Sequence, residues 1–182
     1  MERSISVIPA AAATAANAAT PANAATAPTA TVPTGPQPRG VTDKAELDYE
    51  LKSLLPPASL THATDAAHML ADAIEAEARL LIIGDYDCDG MTGTAVLVRC
   101  LTLLGANVGY YIPNRLEEGY GLNDEALRKL SERGASLVIS VDCGIASVQE
   151  ARTAREIGLE LIITDHHQFA DQLPDAAAIV HP

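Results

Sequence analysis

From residue 80 onward, short, nearly continuous apolar runs alternate with longer stretches in which apolar residues recur every three or four positions. The runs lie at residues 80–83, 108–112, 137–141 and 159–163, with a shorter one at 178–180. Apolar runs of this length with no period of two suit strands covered on both faces. Helical patterns fill the intervals at residues 92–104, 123–133 and 146–157. Gly105, Gly134 and Gly158 follow them, where a helix commonly ends on a left-handed residue. Asn123 stands where an N-cap belongs. Strand and helix in strict alternation predict an α/β fold, with a parallel, doubly wound sheet and helices on both faces.

Upstream the pattern changes. Residues 43–55 place Leu47, Leu51, Leu54 and Leu55 near helical spacing and predict a short amphipathic helix, ended by Pro56-Pro57. Thr64-Asp65 predicts the cap of a second helix over 66–78, with Ala67, Leu70, Ala71 and Ile74 on one face. The first 40 residues hold 13 Ala, six Thr and six Pro but only three charges. They lack any packing period, and their prolines would interrupt a long helix. The chain thus divides into a disordered Ala/Thr/Pro-rich tail at 1–42, a helical lead-in at 43–78 and an α/β domain at 79–182.

Charge and composition narrow the chemistry. With 24 acidic against 12 basic residues, a broad basic surface for nucleic acid is not expected on this part of the protein. Aromatic residues are 3% of the chain, so base-stacking platforms are few. Cys88, Cys100 and Cys143 are odd in number and form no CxxC pair, which argues against a disulfide framework or zinc ribbon and fits a reducing cytoplasm. No apolar stretch is long enough to cross a membrane as a helix.

The chemistry lies where strands end. In open parallel sheets, ligands bind beyond the carboxyl ends of the strands. Asp85, Asp87 and Asp89 follow the first run, Asp142 the third, and Asp165-His166-His167 the fourth. Alternating carboxylates repel one another, so a cation is expected among them. On an extended segment Asp85, Asp87 and Asp89 would point the same way. Mixed carboxylate and imidazole ligands suit Mn²⁺, with Mg²⁺ as the alternative, and the donors suffice for two ions. Gly90 and Gly93 would let backbone approach a ligand at a helix start, where N–H groups face a phosphate. Thr92 and Thr94 would add hydroxyls. Arg115, after the second run, would bring a guanidinium to a phosphate unless Glu117 or Glu118 pairs with it. Cys88 and Cys143 read as small buried side chains and Cys100 as helix packing. His62 and His68 read as surface or helix residues, and His181 has no assignment.

At these residues the chain resembles the DHH phosphoesterase superfamily, and within it the single-stranded-DNA exonucleases. The first motif is matched by Gly84-Asp-Tyr-Asp-Cys-Asp-Gly-Met-Thr-Gly-Thr94, the second by Val141-Asp-Cys-Gly-Ile145, and the name-giving third by Thr164-Asp-His-His167. Tyr111-Ile-Pro-Asn-Arg-Leu-Glu-Glu-Gly-Tyr-Gly-Leu122 and Leu54-Leu-Pro56 are similar to segments of the exonuclease branch. The resemblance implies a DHH-type domain with Asp87, Asp89, Asp142 and His166 as metal ligands; Asp165, beside them, is expected to join a set that serves two Mn²⁺ or Mg²⁺ ions. The same resemblance places His167 at the scissile phosphate, and Asp85 as a catalytic, ligand or supporting carboxylate. It further implies 5′-to-3′ hydrolysis of single-stranded DNA in recombination and repair, with other repair proteins as further partners. Two positions depart from the pattern. Ile83 stands where some members carry a histidine, and His181-Pro182 stands where Asn-Pro is commoner. The resemblance also implies an amino-terminal fragment, with a further metal-binding aspartate and a second domain beyond residue 182. Two other readings remain open. One is a DHH phosphoesterase for short oligonucleotides or cyclic dinucleotides. The other is an inactive, truncated binding module.

Overall fold

The computed structural model describes residues 43–169 and 171–182. The expected disordered tail at 1–42 lies outside the described residues. The elements are α1 (Ala63–Glu75), β1 (Arg79–Gly84), α2 (Cys88–Leu103), β2 (Asn107–Tyr111), α3 (Arg115–Glu118), α4 (Asp124–Glu132), β3 (Leu137–Val141), α5 (Val148–Glu156), β4 (Glu160–Thr164) and β5 (Ala178–Val180). All five strands are parallel, in the order β2-β1-β3-β4-β5. This is one of the two common doubly wound orders.

Strand parity divides the core. Leu81 and Ile83 of β1, Val138 of β3 and Leu161 and Ile163 of β4 face Leu127 and Leu130 of α4 and Ala151 and Ala154 of α5. Leu80 and Ile82, with Ile139 and Ile162, face Val98 and Leu101 of α2 and Ala66 of α1. With both faces covered, successive residues are mostly apolar, which is why these strands show no period of two. Leu80 to Ile83 are fully buried, each side chain contributing roughly 1.5–3 kcal/mol. The carboxyl end of β1 is therefore held in place by its own core. α1 packs beside β5, so the lead-in shares this core.

The expected helix over 43–55 does not form. Two short 3-10 turns take its place, Lys44–Leu47 and Leu51–Ser53, and a third, Pro57–Ser59, follows. Leu51, Leu54 and Leu55 are exposed, and a 13-residue helix with no surface to cover is marginal. Asp48 also diverts the backbone, since its carboxylate accepts from Glu50 N (3.1 Å) and Ser53 Oγ (2.8 Å). α1 begins three residues before the expected start, after a left-handed His62 with no side-chain cap. α2 begins four residues early, capped by Asp87.

Candidate metal centre

Three aspartates stand one residue past three strand tips. Gly84, Val141, Thr164 and Val180 pair across the sheet in one row. The next residues continue the ladder: Asp85 N donates to Val141 O (3.2 Å), Asp142 N to Thr164 O (2.9 Å) and Asp165 N to Val180 O (3.2 Å). Register alone therefore lines up Asp85, Asp142, Asp165 and His181. The site opens between β1 and β3, whose following helices leave to opposite faces of the sheet. That is where such folds bind ligands.

Asp142 is the centre of the arrangement. It is buried, with a left-handed φ of 61° that a short polar side chain tolerates better than most. Neither carboxylate oxygen has an aligned hydrogen-bond donor. His166 Nε2 stands 2.8 Å from Oδ1, and His167 Nδ1 3.9 Å from it. Burial raises the Asp142 pKa first, and the Asp89 and Asp87 charges raise it further. Burial also raises Asp85, with Asp87 adding to the effect and Arg115 opposing it. One ligand atom each of Asp85, Asp87 and Asp142 lies within 4.8 Å of the others, and the same holds for Asp142, His166 and His167. An orphaned buried carboxylate shared by two such triads fits a hard or borderline divalent cation.

Asp87, Asp89 and Asp165 sit differently from the expectation. Asp85, Asp87 and Asp89 do not share an extended segment, because α2 starts at Cys88. Asp87 is the exposed N-cap of α2, and its Oδ1 accepts from Gly90 N at 3.1 Å. That bond lowers its pKa. Asp89 is exposed in the first turn, 3.7 Å from His166 Nε2. The Asp165 carboxylate is already engaged. Its Oδ2 accepts from Ile145 N (2.9 Å), and its Oδ1 from His166 N (2.7 Å), His167 N (3.1 Å) and His167 Nδ1 (2.7 Å). Burial opposes its ionisation, but these bonds win and its pKa is lowered. The Asp165 carboxylate, expected as a metal ligand, thus holds the His167 ring and two neighbouring backbone N–H groups. Its bond to the ring raises the His167 pKa.

Gly90 and Gly93 pack closely against the strand tips, and Thr92 stays exposed. A Cβ on Gly90 would meet Asp85 O at 2.7 Å, and one on Gly93 would meet Val141 Cγ1 at 2.9 Å. They let α2 lie against the tips of β1 and β3. Thr92 Oγ1 donates back to Cys88 O at 2.7 Å, and Thr94 is buried in the helix stripe with Gly90, Val98 and Leu101. Ile83 is a core residue. Cys143 is buried as expected, and burial pushes its thiol up to about 12. Cys88 and Cys100 are exposed, because both lie off that buried stripe.

Arg115 caps one side of the opening. Its guanidinium donates to Tyr86 OH and lies 4.6 Å from the Tyr86 ring centroid and 5.4 Å from that of Tyr120. Glu118 is turned away to Lys129. His181 was missed by sequence reasoning. Its Nε2 lies 2.9 Å from His167 O, and its ring meets Phe169 edge-on at 5.8 Å. The available signal was its place directly after an apolar run, the same signal that singled out Asp142.

The pKa shifts predict a pH trend for the metal-free chain. Asp85, Asp142 and His167 are raised in the fold, so folding takes up protons above the ordinary values of about 3.9 for Asp and about 6.5 for His. Stability then falls as pH rises. The lowered groups Asp87 and Asp165 act only in more acid solution. The metal-free melting temperature should be higher at pH 5 than at pH 8, and Mn²⁺ at pH 8 should restore it. Thermal unfolding with EDTA and with Mn²⁺ checks both; a rise from pH 5 to pH 8 without metal contradicts the assignment.

Residues 79–182 match the DHH family, N-terminal domain. The chain is 49% identical over 126 residues to the single-stranded-DNA-specific exonuclease RecJ of Bacillus subtilis, covering 69% of this chain and 16% of that protein. It is 41% identical over 145 residues to RecJ of Escherichia coli, covering 79% and 25%. A solved structure of exonuclease RecJ bound to manganese is similar at 43% identity and TM-score 0.66, covering 71% of this chain and 33% of that one. RecJ from Thermus thermophilus in complex with Mn²⁺ is similar at 38% identity and TM-score 0.61, covering 71% and 18%. The chain spans about a sixth to a quarter of the length of these curated relatives.

Proposed function

The chain belongs to the DHH family, and from that premise we propose that it carries the cation-binding part of a 5′-to-3′ exonuclease. The substrate is single-stranded DNA and the setting recombination and repair in the cytoplasm, alongside other repair proteins. The observation that carries this reading is Asp142, a buried carboxylate without an aligned donor, shared by two triads of metal-binding groups. The manganese-bound structures of similar proteins support the same cation. Among the described residues no helix is long and apolar enough to cross a membrane.

Asp87, Asp89, Asp142 and His166 would hold Mn²⁺ or Mg²⁺, with room in the donor set for two ions, and Asp85 would complete it from the β1 tip. When bound, such ions supply activation of water and neutralisation of charge at phosphorus. Asp165 fixes the His167 ring through Nδ1, which leaves Nε2 to face the scissile phosphate. Arg115 binds a backbone phosphate beside Asp85. Gly90 and Gly93 serve by close packing, bringing Asp87 and Asp89 to the sheet edge.

The test compares 5′-labelled single-stranded DNA, duplex DNA and dinucleotides as substrates for the full-length protein. Mn²⁺-dependent release of mononucleotides from the single strand is expected, with none in EDTA and little from duplex. Faster turnover of dinucleotides would instead favour an oligonucleotide phosphoesterase. Hydrolysis that persists in EDTA would remove the metal from the account.

A further inference from the structure

The segment 114–121 holds Arg115 and Tyr120, yet only α3, a single helical turn, gives it regular structure. Such a segment has little intrinsic order of its own. One side chain ties it to both β2 and α4. The Glu118 carboxylate, 17% exposed, collects donors from three elements: Tyr111 OH at the end of β2, Asn114 N at the start of the segment (2.9 Å) and Lys129 Nζ on α4 (3.0 Å). Lys129 is itself steadied by Glu125 at 2.7 Å. Burial opposes ionisation of Glu118, but the three donors hold its pKa down. Burial, and then the Glu118 charge, push the Tyr111 phenol well above its ordinary value, so it remains a donor.

This arrangement has two effects on Arg115. The neighbouring carboxylate is satisfied elsewhere and does not neutralise the guanidinium. The backbone at Asn114, one residue before Arg115, is tied to the same carboxylate. Arg115 is thereby left stacked on Tyr86 and Tyr120 at the rim of the metal centre.

We propose that Glu118 is a positioning residue, clamping the segment 114–121 to β2 and α4 so that Arg115 is presented to a phosphate of the substrate strand. The proposal rests on the reading of Arg115 as a phosphate contact. Glu118 bonds to none of the candidate ligands, so its loss acts through the segment that carries Arg115.

The test uses the full-length protein and the variants Glu118→Ala, Tyr111→Phe and Arg115→Ala. Hydrogen exchange of residues 114–121 should speed up on Glu118→Ala while β1 and β3 stay protected and Mn²⁺ affinity stays unchanged. KM for single-stranded DNA should rise roughly tenfold or more, with kcat little changed. Tyr111→Phe removes one of three donors and should give a smaller rise. In the double variant Arg115→Ala/Glu118→Ala, the two losses should not add, because one acts through the other. Unchanged exchange in Glu118→Ala, or additive losses in the double variant, overturns the proposal. If the wild-type protein hydrolyses no DNA, the exonuclease reading falls. Exchange, together with the affinity of a single-stranded oligonucleotide read by fluorescence anisotropy, then still decides whether Glu118 positions Arg115.

Discussion

Asp142→Asn should abolish Mn²⁺-dependent hydrolysis while leaving the fold intact and the metal-free chain harder to melt. The substitution keeps shape and keeps a residue type that tolerates the left-handed φ of 61°. It removes one negative charge from the group shared by both triads. A bound cation supplies several kcal/mol of charge stabilisation at phosphorus, and each 1.36 kcal/mol is about tenfold in rate. A loss on the order of 10³-fold or more follows. Stability moves the other way because the charge is buried, lacks aligned donors and is crowded by Asp87 and Asp89. Asp87→Ala is a poorer probe, since it also removes the cap on Gly90 N, a loss of about 0.5–2 kcal/mol. Titration calorimetry with Mn²⁺, activity assays and thermal unfolding in EDTA measure the three effects. Turnover of Asp142→Asn within tenfold of wild type would show that the proposed centre is not catalytic.

Gly90→Ala should lower the melting temperature and weaken Mn²⁺ binding together. The new methyl group would lie 2.7 Å from Asp85 O, 2.8 Å from Asp85 Cβ and 2.9 Å from Asp85 C. Backbone cannot rotate aside as a side chain can, so the first turn of α2 must move away from β1. Overpacking of this kind costs roughly 1–3 kcal/mol, which exceeds the gain of at most about 1 kcal/mol from replacing a helical glycine. The same movement carries Asp87 and Asp89 away from Asp142. Gly93→Ala meets only a methyl of Val141 at 2.9 Å and should be milder in both readouts. If Gly90→Ala melts above wild type with unchanged Mn²⁺ affinity, the close-packing role assigned to this glycine is wrong.

The sheet was legible because burial on both faces leaves a nearly continuous apolar run. β3 and β5 match their runs end to end, and the row of strand tips followed from parallel order alone. Helix starts near the site were not legible. Gly90 and Gly93 read as backbone open to a ligand at a helix start, since a glycine inside a helix is costly without a tertiary reason. That reason, contact with Asp85 and Val141, is invisible along the chain. Asp87 was therefore read as part of an extended segment, although its cap bond to Gly90 has the ordinary spacing of three. Asp165 could be placed at the site but not given its task, because the task depends on four donors, three of them backbone. Glu118 pairs with Lys129 eleven positions away, outside any local spacing rule, and so Arg115 looked closer to neutralisation than it is. The helix expected over 43–55 is absent for a different reason: Leu51, Leu54 and Leu55 are spaced for a helix but have no surface to cover.

The row shared by Gly84, Val141, Thr164 and Val180 sets what this chain can tolerate as its length varies. A slip of one residue in any of these strands would turn the following polar group to the opposite side of the sheet. Insertions between strands merely lengthen a connection. Drift in length should therefore collect in the links between elements, while single-codon gains or losses inside a strand are purged, however conservative the residues on either side.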